Sequence, residues 1–301
     1  MEYPLSRGHA AMTRRRQLLG RVAGAAVAFA LALLPAPRAQ AYATIGQVSS
    51  SAAPTACQAG YDYLQPSVTA GANLYTAREA GTISSWSTYS TSIGTPAYTL
   101  KIFRRTSDPD VFKVISHAQP RVLSAGLNVV PVSPGLHVES GDMIGFNESG
   151  SPNSCAFSAP GDSVLRASGN LADGGSAAFS TQDDVRLNLS ATLVPSNDFR
   201  LAGVARNRRF GTANLTVDLS NPGTATLTGK EIRKRHASRS IPVAGPVTFA
   251  IAPAASTLKR LNRRGTARVR VTVTFTPPDG DPNGQSITIA LKKRRSTVTT
   301  A

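Results

Sequence analysis

Beyond residue 43 the chain has three histidines, His117, His137 and His236, and none of them stands in a catalytic frame. No G-x-S-x-G elbow presents a nucleophilic serine, and no H-E-x-x-H pair offers two imidazoles to zinc. Glycoside hydrolysis needs two facing carboxylates. Glu139 with Asp142, and Asp183 with Asp184, are available, but their turn-like contexts suit turn formers and solvated charges. The breadth of missing motifs predicts a protein that is not an enzyme and carries no cofactor, with a secreted hydrolase of unrecognised type as the third reading.

Asp279-Gly280-Asp281-Pro282-Asn283-Gly284 has the spacing of a calcium loop, with oxygen ligands at alternate positions and glycine for the sharp turn. Its closing bidentate position falls on Ala290, and the segment lies between two strand patterns. A hairpin loop is therefore the expected reading, with Asp279, Asp281 and Asn283 as a weak metal candidate.

Aromatic residues gather early: Tyr61, Tyr63, Tyr75, Trp86, Tyr89 and Tyr98 precede residue 100, whereas residues 199–301 contain neither Tyr nor Trp. Trp86 shares a strand face with Ser84 and Thr88, and an aromatic plane bordered by hydroxyls can stack on a sugar. Trp86, Tyr89 and Tyr63 are thus a candidate glycan platform. The competing reading makes the single Trp part of a β-sandwich core.

Charge is the strongest chemical signal. Residues 44–198 carry 8 Lys/Arg against 12 acids, and residues 199–301 carry 19 against 4. Arg206, Arg208 and Arg209, then Arg233, Lys234 and Arg235, then Arg263, Arg264, Arg268 and Arg270 are the candidate polyanion-binding residues. Such a density attracts any polyanion. Nucleic acid is disfavoured, because stacking on single strands needs exposed aromatics and the aromatics of this half are Phe residues expected on core faces. An anionic cell-wall polymer or membrane head groups are the expected partners, and a carbohydrate is the alternative for the first half. Solubility charge protecting sheet edges is the plainer reading.

Elements of period two must position these residues. Ala213, Leu215, Val217 and Leu219 alternate with polar neighbours, as do Ala267, Val269, Val271, Val273 and Phe275, which turns Arg268 and Arg270 outward. Val247, Phe249 and Ile251, and Ile287, Ile289 and Leu291, repeat the pattern. About seven short strands in about 100 residues suggest an immunoglobulin-like sandwich over 198–296. Residues 44–195 show less regular strand candidates, at Leu100 and Ile102, Val111 to Ile115, Val129 and Val130, Met143 to Phe146, and Val185, Leu187 and Leu189. They suggest a jelly-roll-like sandwich. Pro195-Ser196-Asn197-Asp198 supplies the linker. No stretch beyond the leader shows helical periodicity.

Arg14 to Arg16, the 13-residue apolar run Val22 to Leu34 and the small residues up to Ala43 have the layout of a signal peptide over 1–43. The run is too short to span a bilayer, so the mature chain is expected to have no transmembrane segment and to be secreted or held at the cell surface. Arg15-Arg16 reads as ordinary leader charge or as a loose twin-arginine signal. Cys57 and Cys155 are the only cysteines. In an exported chain they most simply form one disulfide, worth up to about 4.7 kcal/mol by chain entropy; two free thiols are the rival.

Three segments carry a resemblance. Gly211 to Val217, Thr226 to Lys230 and Leu261 to Val271 resemble the basic β-modules that end many secreted proteins of high-GC Gram-positive soil bacteria. The upstream segments around Trp86, Gly141-Asp142 and Cys155-Ala156-Phe157 are similar to the sandwich such proteins carry before that module. The resemblance implies fold and location. It implies no catalytic residues, and the group has no settled function.

Overall fold

The computed structural model describes residues 42–50, 54–66, 68–69, 75–91, 95–150 and 154–294. The expected signal peptide falls on residues 1–41, outside them, apart from Tyr42 and Ala43, and Ala43 opens the first strand. The described residues are all-β with one short helix, and no described helix is long and apolar enough to cross a membrane.

Two antiparallel sheets form the first half. The smaller runs Ala43–Gln47, Leu189–Pro195, Gly81–Ser90, Gly126–Val138. The larger centres on Pro96–Arg105, Met143–Gly150, Tyr61–Leu64 and Ser154–Ser168. Between them lies a core that includes Trp86, Leu100, Ile102, Phe146, Leu187 and Leu193. The larger sheet is apolar on its other face too, where Phe103 and Phe112 meet the edge of Phe179. Strand Pro96–Arg105 is consequently buried over most of its length, and Lys101 with it. Lys101 Nζ is satisfied by Asp62 Oδ1 and Asn170 Oδ1, both at 2.7 Å, and by the Leu171 carbonyl.

The single run Val185, Leu187, Leu189 serves both sheets. Strand Ser180–Leu187 belongs to the larger and Leu189–Pro195 to the smaller. Asn188 makes the change of sheet, its side chain pairing with both backbone groups of Ser49 at 2.9 Å. Cys57 and Cys155 form the expected disulfide, with Cα atoms 5.5 Å apart, where Pro54–Ala56 pairs with Ser154–Ser168.

The second half contains a three-stranded sheet, Phe199–Asn207, Thr212–Leu219, Gly245–Ile251, and a four-stranded one, His236–Ile241, Gly223–Thr228, Thr266–Thr276, Asn283–Lys292. Leu215, Val217, Phe249, Val269, Val271, Val273 and Phe275 fill the space between, as alternation requires. The expectation of no helix is corrected by Ala255–Arg264, which joins the two sheets and buries only Thr257 and Leu261. So narrow an apolar stripe gives little periodic signal in sequence.

At the joint between the halves, Asn221 replaces a backbone partner. Its Nδ2 donates to the carbonyls of Ala80 and Ser196 at 2.8 and 2.7 Å, and its Oδ1 accepts from Ala80 N–H at 2.7 Å. The turn around Asp279 packs here as well. Asn197 donates to the Asp281 carbonyl at 3.0 Å, and Asn283 donates to the Asn197 carbonyl at 3.1 Å.

Candidate functional site

Register places four chain segments at the end of the second half opposite this joint. Asn207 faces Thr212, Ala213 faces Ile251, Thr228 faces both His236 and Thr272, and Thr266 faces Lys292. The turn 207–212, the loop 229–235, the helix and the segment after residue 292 therefore come together.

Local chemistry fixes them. Gly211 adopts a φ of 69°, and an added Cβ would approach a Leu261 methyl to 2.5 Å, so only glycine lets the turn seat on the helix. Gly265, left-handed at φ 73°, ends the helix by donating its N–H to the Leu261 carbonyl at 2.8 Å. Arg263 and Arg264 occupy the last turn, where the helix carbonyls favour cations. Arg233 N–H donates to Ala252 O at 2.8 Å, and Ala254 N–H donates to Glu231 O at 2.9 Å. These bonds hold the basic loop against the start of the helix. Arg294 N–H donates to Arg208 O at 2.9 Å, and Arg206 Nε donates to Ala290 O at 2.9 Å.

All ten predicted cations, Arg206, Arg208, Arg209, Arg233, Lys234, Arg235, Arg263, Arg264, Arg268 and Arg270, are exposed at or beside this end. Of the four acids in this half, Asp279 and Asp281 lie in the joint-facing turn, and Asp218 pairs with Arg200 at that same end of its strand. Only Glu231 is at the cationic end. It holds Arg260 at 3.4 Å through Oε1 and accepts Arg270 N–H at 3.2 Å through Oε2. Exposed pairs of this kind contribute under about 1 kcal/mol, and one carboxylate leaves the surrounding arginines in large excess.

Two shallow hollows adjoin Glu231 and Arg270. One, of about 620 Å³, sets Lys230, Arg235 and Arg270 beside the hydroxyls of Thr228 and Thr272. The other, of about 560 Å³, sets Arg260, Arg264 and Arg268 beside Thr266 and Thr288. Guanidinium forks with neighbouring hydroxyls suit phosphate, carboxylate or sulfate oxygens, which they meet by short charge-assisted hydrogen bonds. Sequence reasoning found the cations but missed Glu231 and the helix that gather them.

Other candidates are corrected. Trp86 has 0 % exposure and belongs to the core. A register shift between Ile83 and Ser85 puts Ile83 and Trp86 on the same inward face. Tyr63 is also fully buried, its hydroxyl donating to Gln58 O at 3.1 Å. Tyr89 sits half-buried on the opposite face of its strand, beside Leu127. Trp86, Tyr89 and Tyr63 therefore form no common platform. Asp279 and Asp281 lie in the turn ahead of strand Asn283–Lys292, and Asn283 donates to the Asn197 carbonyl at 3.1 Å. Among the described residues, the one group of three or more His, Cys, Asp or Glu side chains close enough to share a metal ion is Cys57, Glu148 and Cys155, and its two sulfurs form the disulfide. Glu139 and Asp142 are both engaged by Arg104, which Asp142 grips through both oxygens at 2.6 and 2.9 Å.

No protein-family model and no curated protein matches this chain. Among solved structures it is similar to a β-1,2-glucanase from Parabacteroides distasonis, at 13 % identity and a TM-score of 0.18, covering 79 % of this chain and 31 % of that one. It is also similar to a β-glucuronidase from Ruminococcus gnavus, at 7 % identity and a TM-score of 0.21, covering 85 % and 48 %. The chain thus spans less than half the length of these two enzymes. The expectation that it is not an enzyme is corrected by them and is not carried forward. Likeness at this level transfers no activity to its residues.

Proposed function

We propose that this is an exported protein that attaches to the anionic cell envelope through the cationic end of its second sandwich. Its first sandwich then presents loops to a separate ligand. In this reading residues 1–43 are a signal peptide, 44–195 a jelly-roll-like sandwich and 198–296 an immunoglobulin-like one. The carrying observation is the segregation of charge. Ten exposed cations gather at one end with a single carboxylate, and the remaining acids of that half lie at the other. Fields of this kind concentrate polyanions and are weakened by salt.

The test uses the whole mature chain, mixed with purified bacterial walls and, separately, with vesicles of anionic phospholipid, across a salt series. Expected is binding that falls steeply with salt and is lost when Arg263, Arg264, Arg268 and Arg270 are changed together to Gln with the fold intact. Binding indifferent to salt, or retained by that variant, overturns the reading. The vesicle arm separates head groups from wall polymer.

A further inference from the structure

A cavity of about 270 Å³ lies at the other end of the second sandwich, where the two halves meet. Its walls include Thr44 and Ile45 from the first strand, Thr76, Arg78 and Glu79 from the segment ahead of Gly81–Ser90, and Asp279 from the second half. That segment is held rigidly. Ala77 exchanges hydrogen bonds with the backbone of Gly141 and Asp142 at 2.8 and 2.7 Å, and Ala80 is clamped by Asn221.

Glu79 is only 7 % exposed, and its Oε2 is buried with no hydrogen-bond partner. Burial, reinforced by the Asp279 carboxylate, pushes its carboxyl above the usual range. A buried acceptor without a donor calls for an explanation, and a second carboxylate beside it deepens the need for positive charge. Two carboxylates fall well short of the roughly six to eight oxygen ligands that a calcium ion takes. An ammonium group needs fewer converging ligands and brings three N–H donors. Arg78, exposed on the same wall, makes no ion pair with either acid among the described residues.

We infer that this cavity binds a zwitterion of amino-acid size, its ammonium donating to Glu79 and Asp279 and its anionic end meeting Arg78. The occupant would span both halves, since Glu79 belongs to one and Asp279 to the other. The site is independent of the envelope-binding end and stands or falls without it.

The experiment is an amide-resonance titration of the mature chain with L-alanine, ethanolamine and acetate. L-Alanine is expected to give saturable shifts at Thr44, Thr76 and Glu79, ethanolamine weaker binding at the same amides, and acetate none. Glu79→Gln and Asp279→Asn should each weaken alanine about ten-fold, the size of one hydrogen bond to a charged group. Arg78→Ala should reduce alanine to the level of ethanolamine. Glu79→Gln is isosteric, and its melting curve verifies that the fold survives. No saturable shift with alanine, or an unchanged affinity in folded Glu79→Gln, overturns the inference. So do equal shifts from acetate, or calcium chloride reproducing the shifts at lower concentration.

Discussion

The Asn221 side chain pairs with Ala80 as a neighbouring strand would, accepting from its N–H and donating to its carbonyl. A third bond, to Ser196 O, brings the linker under the same amide. Asn221→Ala removes all three and leaves backbone groups unmet at a joint where Asn221 itself is buried. The expected cost is about 2–3 kcal/mol in urea unfolding, with the two halves beginning to melt separately. Calorimetry that still shows one transition at the wild-type temperature would contradict this.

Trp86→Ala should cost about 3–5 kcal/mol, the range for truncating a large core aromatic. Tyr89→Ala, on the outward face of the same strand, should cost far less. Chemical denaturation of both variants checks the contrast, and equal small losses would place Trp86 outside the core.

Lys101→Met leaves Asp62 as a buried charge without its ammonium partner, although Asn147 Nδ2 and Leu171 N–H still donate to it. Breaking one side of a buried pair typically costs about 3–5 kcal/mol. The loss should shrink when Asp62 is changed to Asn in the same chain, which a double-mutant cycle measures.

Two carboxyls give opposite pH signatures. Burial pushes Asp162 up, but hydrogen bonds from Arg186 and Thr69 outweigh it and hold the carboxyl below the usual range. Its stabilisation is present above the unfolded value of about 3.9 and lost as pH falls through the lower folded value. Glu79 is raised, so the native state binds its proton more tightly than the unfolded chain does. Stability therefore falls as pH climbs from about 4.3 to the folded value and is level above it. Unfolding measured at stepped pH should show the acid loss flattened in Asp162→Asn. The fall on the alkaline side should be flattened in Glu79→Gln, which is also more stable than wild type near neutrality.

Glu231→Gln removes the one negative charge at the cationic end while keeping an oxygen for Arg270 N–H. Affinity for a polyanion such as heparin should rise several-fold at low salt and converge with wild type at high salt. A fall in affinity would show that Glu231 positions the arginines more than it opposes them.

Much of the second half was legible because its strands alternate strictly. Val269 and Val271 turned inward forces Arg268 and Arg270 out, whatever the partner strands are. The facing of Trp86 was not legible. Ser84, Ser85, Ser87 and Thr88 put hydroxyls on both sides of that strand, and the register shift before Ser85 changes the parity. Asn188 was hidden for a related reason, since one apolar run supplies two sheets without a break in pattern. The gathering of four basic segments depends on which strand ends coincide. So does the meeting of Glu79 with Asp279, residues 200 positions apart. Topology decides both, and local pattern carries no trace of either.

Strand Thr266–Thr276 runs its 11 residues from the arginine-rich end to the joint. At about 3.3 Å per residue it is a strut of about 36 Å. Ions in physiological medium damp electrostatic forces over about 8 Å. A layer of negative charge gripped at the far tip would therefore exert almost no repulsion on the net-acidic first half. Under the proposed attachment, the acidity of the first half and the grip of the arginine-rich tip would act without opposing each other.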